Sequence, residues 1–461
     1  MKGIKRLAVS AAIVTSLAAC NSSSDRIELP VNPPPPPPPP VVDASLRVIH
    51  AVSDAPAVNV LANGDVAVAG LDYAESSARL ELPPATYSVA VDALLPGDDT
   101  LTVIGPVDLA LEEATNYKVF AVGSVVADSI MPVVVTSDIE DITDGNIRLQ
   151  VVHAAAAAPA VDIHVTAPDD DLTAPLATLD FAEFTGAVDV PAGNYRVRIT
   201  LPGEDTVVFD SGALDLAAGT DLVVAAINNR FAGDSPVSLL AVAPNGTFFD
   251  VLDANSKSAV RVIHGVSDAP AVDVLVNDTI RLVEDLSFPD FTGYVNVDPD
   301  EYNVKVVANA DNSIVALDAD LDLAAGVFYS VHALGSLGEG EISPLVLMDM
   351  PRRVATEAKV RIIHGSFLAP NVDIYVTATN DISDAEPAFS NVPFLAETGY
   401  VSLAAGSYVV TVTATGSKDA AIGPVTLDLE ANTIYTAIAR DGEGLTADFG
   451  LILMDDFVQE D

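Results

Sequence analysis

The sequence predicts an all-β protein, four antiparallel β-sandwiches in tandem behind a targeting segment and a proline-rich spacer, and three observations carry that reading. The chain has 461 residues, half of them hydrophobic and 19% charged, so it can bury real cores and, at roughly 150 residues per domain, has room for about three domains with two to four allowed. A unit of about 100 residues occurs four times. Within each unit, apolar and polar residues alternate with period two along short β-branched runs, separated by turn signals such as Asn63-Gly64, Ala192-Gly193 and Ala405-Gly406.

The repeats are legible residue by residue. Arg47 to Leu61 reads RVIHAVSDAPAVNVL and Arg261 to Leu275 reads RVIHGVSDAPAVDVL, identical at 13 of 15 places. Gln150 to Val165 (QVVHAAAAAPAVDIHV) and Arg361 to Val376 (RIIHGSFLAPNVDIYV) are looser copies. His50, His153, His264 and His364 stand 103, 111 and 100 residues apart, and each is followed six residues later by a proline, Pro56, Pro159, Pro270 or Pro370. A second landmark is a turn and then an alternating run opening at Tyr87, Tyr195, Tyr302 or Tyr408. A third is a later run opening at Tyr117, Tyr329 or Tyr435, with Leu222 in place of the tyrosine in copy two. Roughly seven short strands per unit are expected, with domain bounds at 43–142, 143–255, 256–355 and 356–461. Insertions at Pro168 to Leu176 and Asn380 to Ser390 follow the second strand and are expected as surface loops. One cysteine excludes an intrachain disulfide framework and any cysteine-rich zinc module, so each sandwich is expected to rest on apolar burial alone.

Ahead of the repeats, Lys2, Lys5 and Arg6 form a positive start, and Leu7 to Leu17 is mostly apolar. That stretch is too short to span the roughly 30 Å of a bilayer core. Leu17-Ala18-Ala19-Cys20 follows. Residues 1–20 resemble the bacterial lipoprotein signal, whose closing cysteine is diacylated, becomes the mature N-terminus and is then N-acylated. The resemblance implies lipid attachment at Cys20, the one cysteine of the chain. Two or more acyl chains anchor a protein stably without a transmembrane helix. Asn21 stands where an aspartate would, by analogy with enterobacterial lipoproteins, favour the inner membrane, so the expected address is the outer membrane, on its periplasmic or surface-exposed face. Residues 21–42 are read as a flexible root and a spacer in which Pro33 to Pro40 are consecutive prolines. Proline fixes φ and lacks an N–H, so this run is expected as a polyproline II rod of about 25 Å.

Lys plus Arg number 21 against 66 Asp plus Glu, a formal charge of −45, and removal of residues 1–19 would take away three positive charges and no negative one. Nothing in such a chain neutralises phosphate, which excludes nucleic acid as a partner. The acidity reads as a solvated surface. Calcium at the inter-domain junctions is the one cofactor candidate, at Asp138 to Gly145 and at Asp250 to Asn255, although neither matches an EF-hand loop and the third junction carries Arg352-Arg353.

The signature VIHAVSDAPAVNV at Val48 to Val60 and VIHGVSDAPAVDV at Val262 to Val274 resembles that of domain-of-unknown-function family 4397. The match covers nearly everything after residue 42. It implies immunoglobulin-like β-sandwiches in tandem, as in secreted and lipid-anchored prokaryotic proteins, and it supplies no catalytic residues.

The recurring histidine is the obvious candidate site. Residues four and two before it are apolar in every copy and share its strand face, so the histidine ends the core stripe of the first strand. Three residues before it stand Arg47, Gln150, Arg261 and Arg361, read as the wet face although the residue just before the histidine is also apolar. Nine residues after it stand Asn59, Asp162, Asp273 and Asp373, whose parity is opposite, which argues against a His–Asp dyad. The expected role of the histidine, read as half-buried, is to donate to a loop carbonyl and pin the connection to the proline. The acid is expected to pair across strands with the arginine, as in Arg261 with Asp273 or Arg361 with Asp373. No second histidine recurs at ligand spacing, His164 and His332 being single occurrences, and no serine recurs in all four copies, since Ser53 and Ser267 become Ala156 and Phe367. The Tyr87 series has core parity.

These readings imply a non-enzymatic, lipid-anchored cell-envelope protein of scaffold or adhesion type. Its four sandwiches in a row would reach about 160 Å at about 40 Å each and present a surface to a protein or polysaccharide partner. An array of carbohydrate-binding modules is the alternative, weakened by the absence of tryptophan as a stacking platform. A hydrolase using Asp pairs has the least support, because no Asp-rich loop recurs with fixed geometry.

Overall fold

The computed structural model describes residues 42–457, and these contain strands, turns and loops with no α-helix. The expected signal segment, Cys20 and the proline run lie outside the described residues. In copy one the strands are β1 (Ala44–His50), β2 (Val58–Ala62), β3 (Asp65–Leu71), β4 (Glu75–Ser76), β5 (Leu80–Leu82), β6 (Thr86–Leu94), β7 (Thr100–Ala110), β8 (Thr115–Val122) and β9 (Met131–Asp138). One sheet runs β4-β1-β8-β9, with β5 also on β1, and the other runs β3-β2-β6-β7. β1 lies parallel to β8, with His50 opposite Ala121. The remaining pairs in the copy are antiparallel. The connection from His50 to Pro56 therefore carries the chain from one sheet to the other.

The other copies repeat this plan. Their first strands, Asn146–His153, Ser258–His264 and Ala358–His364, lie parallel to Asp221–Asn228, Phe328–Ser336 and Thr433–Gly442. Copy two carries an additional edge strand, Phe248–Val251, on Val237–Val242. The insertion of copy two falls between the second strand and the next, where a loop was expected; that of copy four does so up to Ala388, its last two residues entering the strand Phe389–Val392. Each copy also has its own core between its two sheets. In copy one Val48 and Val58, Val60, Leu71 and Val91 meet there. In copy four Val360 and Ile362 meet Val372, Ile374 and Val412.

The outer face of the first strand departs from expectation. Residues 44–50 and 258–264 are buried along their whole length. The copies pack in pairs, back to back, through the sheets that hold the first strands. Between copies one and two, Ile49, Phe120, Val133 and Val135 pack against Val152, Val223, Ala225 and Leu240. Between copies three and four, Ile263 packs with Ile363, Ile438, Ile452 and Met454. The face read as wet is thus a second core, and each buried isoleucine there contributes about 1.5–3 kcal/mol. A parallel central strand covered on both sides reads as a continuous apolar run, which is what the residue just before each histidine announced. Small residues after the histidine let the sheets approach: Leu334 packs over Gly265 and Gly365, where a Cβ would lie 2.4 and 3.1 Å from its Cδ2. Copies one and two have Ala51 and Ala154 there.

The pairs also touch each other. Arg352, at the junction of copies three and four, donates to the carbonyls of Ser53 and Ala55 at 3.1 and 2.9 Å and pairs with Asp72 at 2.7 Å. The Ala232 amide donates to the Gly326 carbonyl at 2.9 Å. A row of sandwiches set end to end is therefore not the arrangement: lateral pairing adds a second core to the one inside each copy and buries as apolar surface what a row would leave in water.

Candidate functional site

The recurring histidine is buried in all four copies. Its Nε2 lies 3.0, 2.9, 3.1 and 3.0 Å from the carbonyl oxygens of Pro56, Pro159, Pro270 and Pro370. In copies one and three Nδ1 accepts from the amides of Val52 and Val266 at 3.2 and 3.4 Å, which fixes the proton on Nε2. An aromatic ring stands edge-on to each imidazole, Tyr73, Phe181, Phe288 or Phe394, with centroids 6.3–6.4 Å apart. Burial pushes His50, His264 and His364 below the ordinary histidine range. An imidazole with a ring N–H committed to a carbonyl ties the sheet-crossing connection to the core, and its burial keeps the other ring nitrogen from solvent.

The acid nine residues later is on the other sheet. Asn59 accepts from the Gly70 amide at 2.9 Å, Asp273 from Asp285 at 3.0 Å and Asp373 from Asn391 at 2.8 Å, each in the neighbouring strand. Gly70, Asp285 and Asn391 all have positive φ. Asp162 instead takes the Thr178 hydroxyl and the Gly203 amide. In copies one, three and four the residue therefore clamps a bulge. The expected pairings Arg261–Asp273 and Arg361–Asp373 do not form, because the two partners belong to different sheets; Asp273 pairs with Arg281 at 2.6 Å.

The arginines go to the interface between copies. Arg261 and Arg361 both reach Asp349, at 2.9 and 2.7 Å, and Arg261 also reaches Asp455 at 2.6 Å. Their guanidinium groups stack on Tyr294 and Tyr400, 4.7 and 4.5 Å from the ring centres. Ser330 and Tyr294 donate to Asp349. Burial pushes the Asp349 carboxyl up, but Arg261 and Arg361 outweigh it and hold it below the usual carboxylate range. His332 lies buried in the same interface with no hydrogen-bond partner at either nitrogen. In the other pair Lys118 donates to Gln150 at 2.7 Å and to Ser137 at 2.8 Å, and burial lowers its pKa to about 8.

A further recurring contact has no fixed residue type. Asp54 accepts from the amides of Val125 and Val126 at 2.9 and 3.0 Å, and Asp268 from those of Leu337 and Gly338 at 2.9 and 2.8 Å. Each thus holds the loop before its proline to the turn after the long parallel strand. Copy four reverses the bond, Asp441 at the end of the long parallel strand accepting from Phe367 and Leu368 at 2.8 and 3.2 Å. In copy two Asn228 takes the Ala157 amide at 3.1 Å and donates to Ser53 of copy one at 2.8 Å. The swap of side hid this contact from sequence comparison. Of the calcium candidates, Asp250 pairs with Arg230 at 2.6 Å and Asp253 accepts from the Asp210 amide at 2.8 Å. Among the described residues no three His, Cys, Asp or Glu side chains converge as a metal site would require.

A tandem all-β sandwich array of this kind is what the recurring signature defines. The family profile described as "Domain of unknown function (DUF4397)" matches residues 44–164, 258–375 and 377–461, and the chain belongs to that family. No curated protein matches it. Among solved structures it is similar to family 41 carbohydrate-binding modules from streptococcal virulence factors, described for α-glucan recognition, at 14% identity and TM-score 0.13 over 40% of this chain and 92% of that one. It is also similar to the Bacillus anthracis TIE protein, at 10% identity and TM-score 0.14 over 83% and 65%. A third is the multi-modular glycogen-degrading pneumococcal virulence factor SpuA, at 10% identity and TM-score 0.15 over 59% and 37%.

Proposed function

We propose that this chain is a non-enzymatic envelope scaffold, held in the outer membrane by acyl chains on Cys20 and set off from it by the proline spacer, whose paired sandwiches present a surface to a protein or polysaccharide partner. One observation carries the reading: the recurring polar side chains are engaged in holding the structure itself. His50 bonds the Pro56 carbonyl, Asp54 holds a turn, Asp273 clamps a bulge and Arg361 joins two copies. A module whose repeated polar groups are bonded to its own backbone supplies shape and rigidity, and recognition then falls to its variable loops.

An array of sugar-stacking platforms has less support. The Tyr87, Tyr195, Tyr302 and Tyr408 rings are half-buried, and their hydroxyls donate to the carbonyls of Pro83, Pro191, Asp298 and Ala404.

Two measurements test the proposal. Membrane fractionation of the wild type and of Cys20→Ser is expected to move the protein from the membrane to the soluble fraction; unchanged distribution overturns the anchor. Affinity capture from envelope extract with residues 43–461 is expected to enrich a defined partner, whereas turnover in broad hydrolase assays that a single Asp substitution abolishes would replace the scaffold reading with an enzyme.

A further inference from the structure

We propose that copy two carries, inside its sandwich, a binding site for the six-carbon tail of a neutral or cationic amphiphile. In the other copies one end of the core is filled by Tyr117, Tyr329 or Tyr435, in register with Leu46, Val260 or Val360 of the first strand. Their hydroxyls accept from the amides of Glu112, Ala324 and Glu430 at 2.9, 3.2 and 3.2 Å. In copy two Leu222 stands at that register position, opposite Leu149, with neither ring nor hydroxyl. Beside it the two sheets enclose a cavity of about 170 Å³, lined by Val151 and Val224 on one sheet and Ile163, Val197 and Ile199 on the other. Voids in the cores of copies three and four are about 30 and 40 Å³. An apolar cavity of about 150 Å³ is large enough to take up benzene, a molecule of six carbons.

The cavity reaches solvent. Leu176 and Phe249 line it and are each 48% exposed, so an apolar path leads in. Phe249 belongs to the edge strand Phe248–Val251. Asp215 is the one charged residue of the lining, and it too is exposed. A carboxylate at the mouth of an apolar pocket, on a chain of formal charge −45, repels an anionic headgroup and attracts an ammonium. The geometry thus selects an alkyl tail inside and a neutral or positive head outside, and disfavours a fatty carboxylate.

The test uses the full chain carrying Cys20→Ser, so that no acyl chain of its own competes, titrated calorimetrically at low ionic strength with hexylammonium, hexanol and hexanoate. Saturable binding is expected, hexylammonium at least tenfold tighter than hexanoate and hexanol between them. Leu222→Tyr is expected to weaken hexylammonium binding at least tenfold. Ala226→Leu, filling the cavity from the same sheet, is expected to do the same should the tyrosine variant not fold. Asp215→Asn is expected to narrow the gap between the charged probes. Absence of saturable binding by all three probes overturns the proposal, as does binding that neither filling variant weakens, or hexanoate binding tightest.

Discussion

Nη2 of Arg361 in copy four stands 2.7 Å from Oδ1 of Asp349 in copy three, and both side chains are almost wholly buried. Asp349 also faces Arg261 at 2.9 Å, so one carboxylate bridges guanidinium groups from two copies, with Asp455 supplying the second negative charge to Arg261. Removing it strands the buried Arg361 and leaves Arg261 with Asp455 alone, and breaking a buried pair in this way costs about 3–5 kcal/mol. Asp349→Ala is therefore expected to lower the urea midpoint strongly, with faster proteolysis between copies three and four. Asp455→Ala, at a more exposed partner of Arg261, is expected to cost less. Equal midpoints for the two variants would show that Asp349 is not the centre of the cluster.

His332 gives the same interface a pH dependence. Burial, reinforced by Arg361, lowers its pKa to about 3. Above the unfolded value near 6.5 it is neutral in both states and has no effect. As pH falls below about 6.5 the unfolded chain takes up a proton that the folded chain refuses, and stability drops by about 1.4 kcal/mol per pH unit until about pH 3. His50, His264 and His364 are shifted in the same direction, so the parent protein sums several such terms. His332→Ile isolates one, since Ile438 holds the matching place beside the first strand in copy four. The stability difference between variant and parent is expected to widen in the variant's favour from pH 6.5 to pH 4; a constant difference would refute the assignment.

The all-β modules were legible because alternation and the fourfold signature are local, each visible within about fifteen residues. The role of His50 was legible too, since parity and the six-residue spacing to Pro56 together imply a pinned connection. The interface was not. Arg261 looks like a surface residue from its own strand, and its partners Asp349 and Asp455 are far away in sequence, in another strand of its copy and in another copy. Ile263, next to the histidine, was the one local sign of a second buried face. Asp441 was hidden by its change of side, and Leu222 was visible as an exception whose effect depends on the distance between two sheets.

The histidine contact is itself testable. His264→Phe keeps an aromatic ring, somewhat larger than the imidazole, edge-on to Phe288 but leaves the buried Pro270 carbonyl without its donor. An unpaired buried acceptor costs about 1–3 kcal/mol. Thermal unfolding is expected to shift down accordingly, and the equivalent changes at His50 and His364 to shift it by similar amounts. A neutral outcome in all three copies would mean the connection is held by packing alone.

Copies one and two meet at a point where no side chain fits. Gly246, in the turn before the edge strand Phe248–Val251, has φ of +90°, and a Cβ there would lie 2.2 Å from the Ser77 carbonyl oxygen and 2.8 Å from the Ala78 Cα. Both atoms are backbone, so relief requires one copy to move against the other. The Arg79 amide, bonded to the Asn245 carbonyl at 3.3 Å, lies in the path of that movement. Gly246→Ala thus combines a left-handed backbone that alanine adopts at about 1–2 kcal/mol with a steric clash across the pair. The expected result is a loss of more than about 2 kcal/mol and faster amide exchange at Ser77 to Arg79, with exchange in the Leu334 interface of copies three and four unchanged. Gly64→Ala, where the same φ of +90° faces open space, supplies the control: it carries the backbone penalty without the clash, and only a larger loss at Gly246 attributes the effect to the meeting of the two copies.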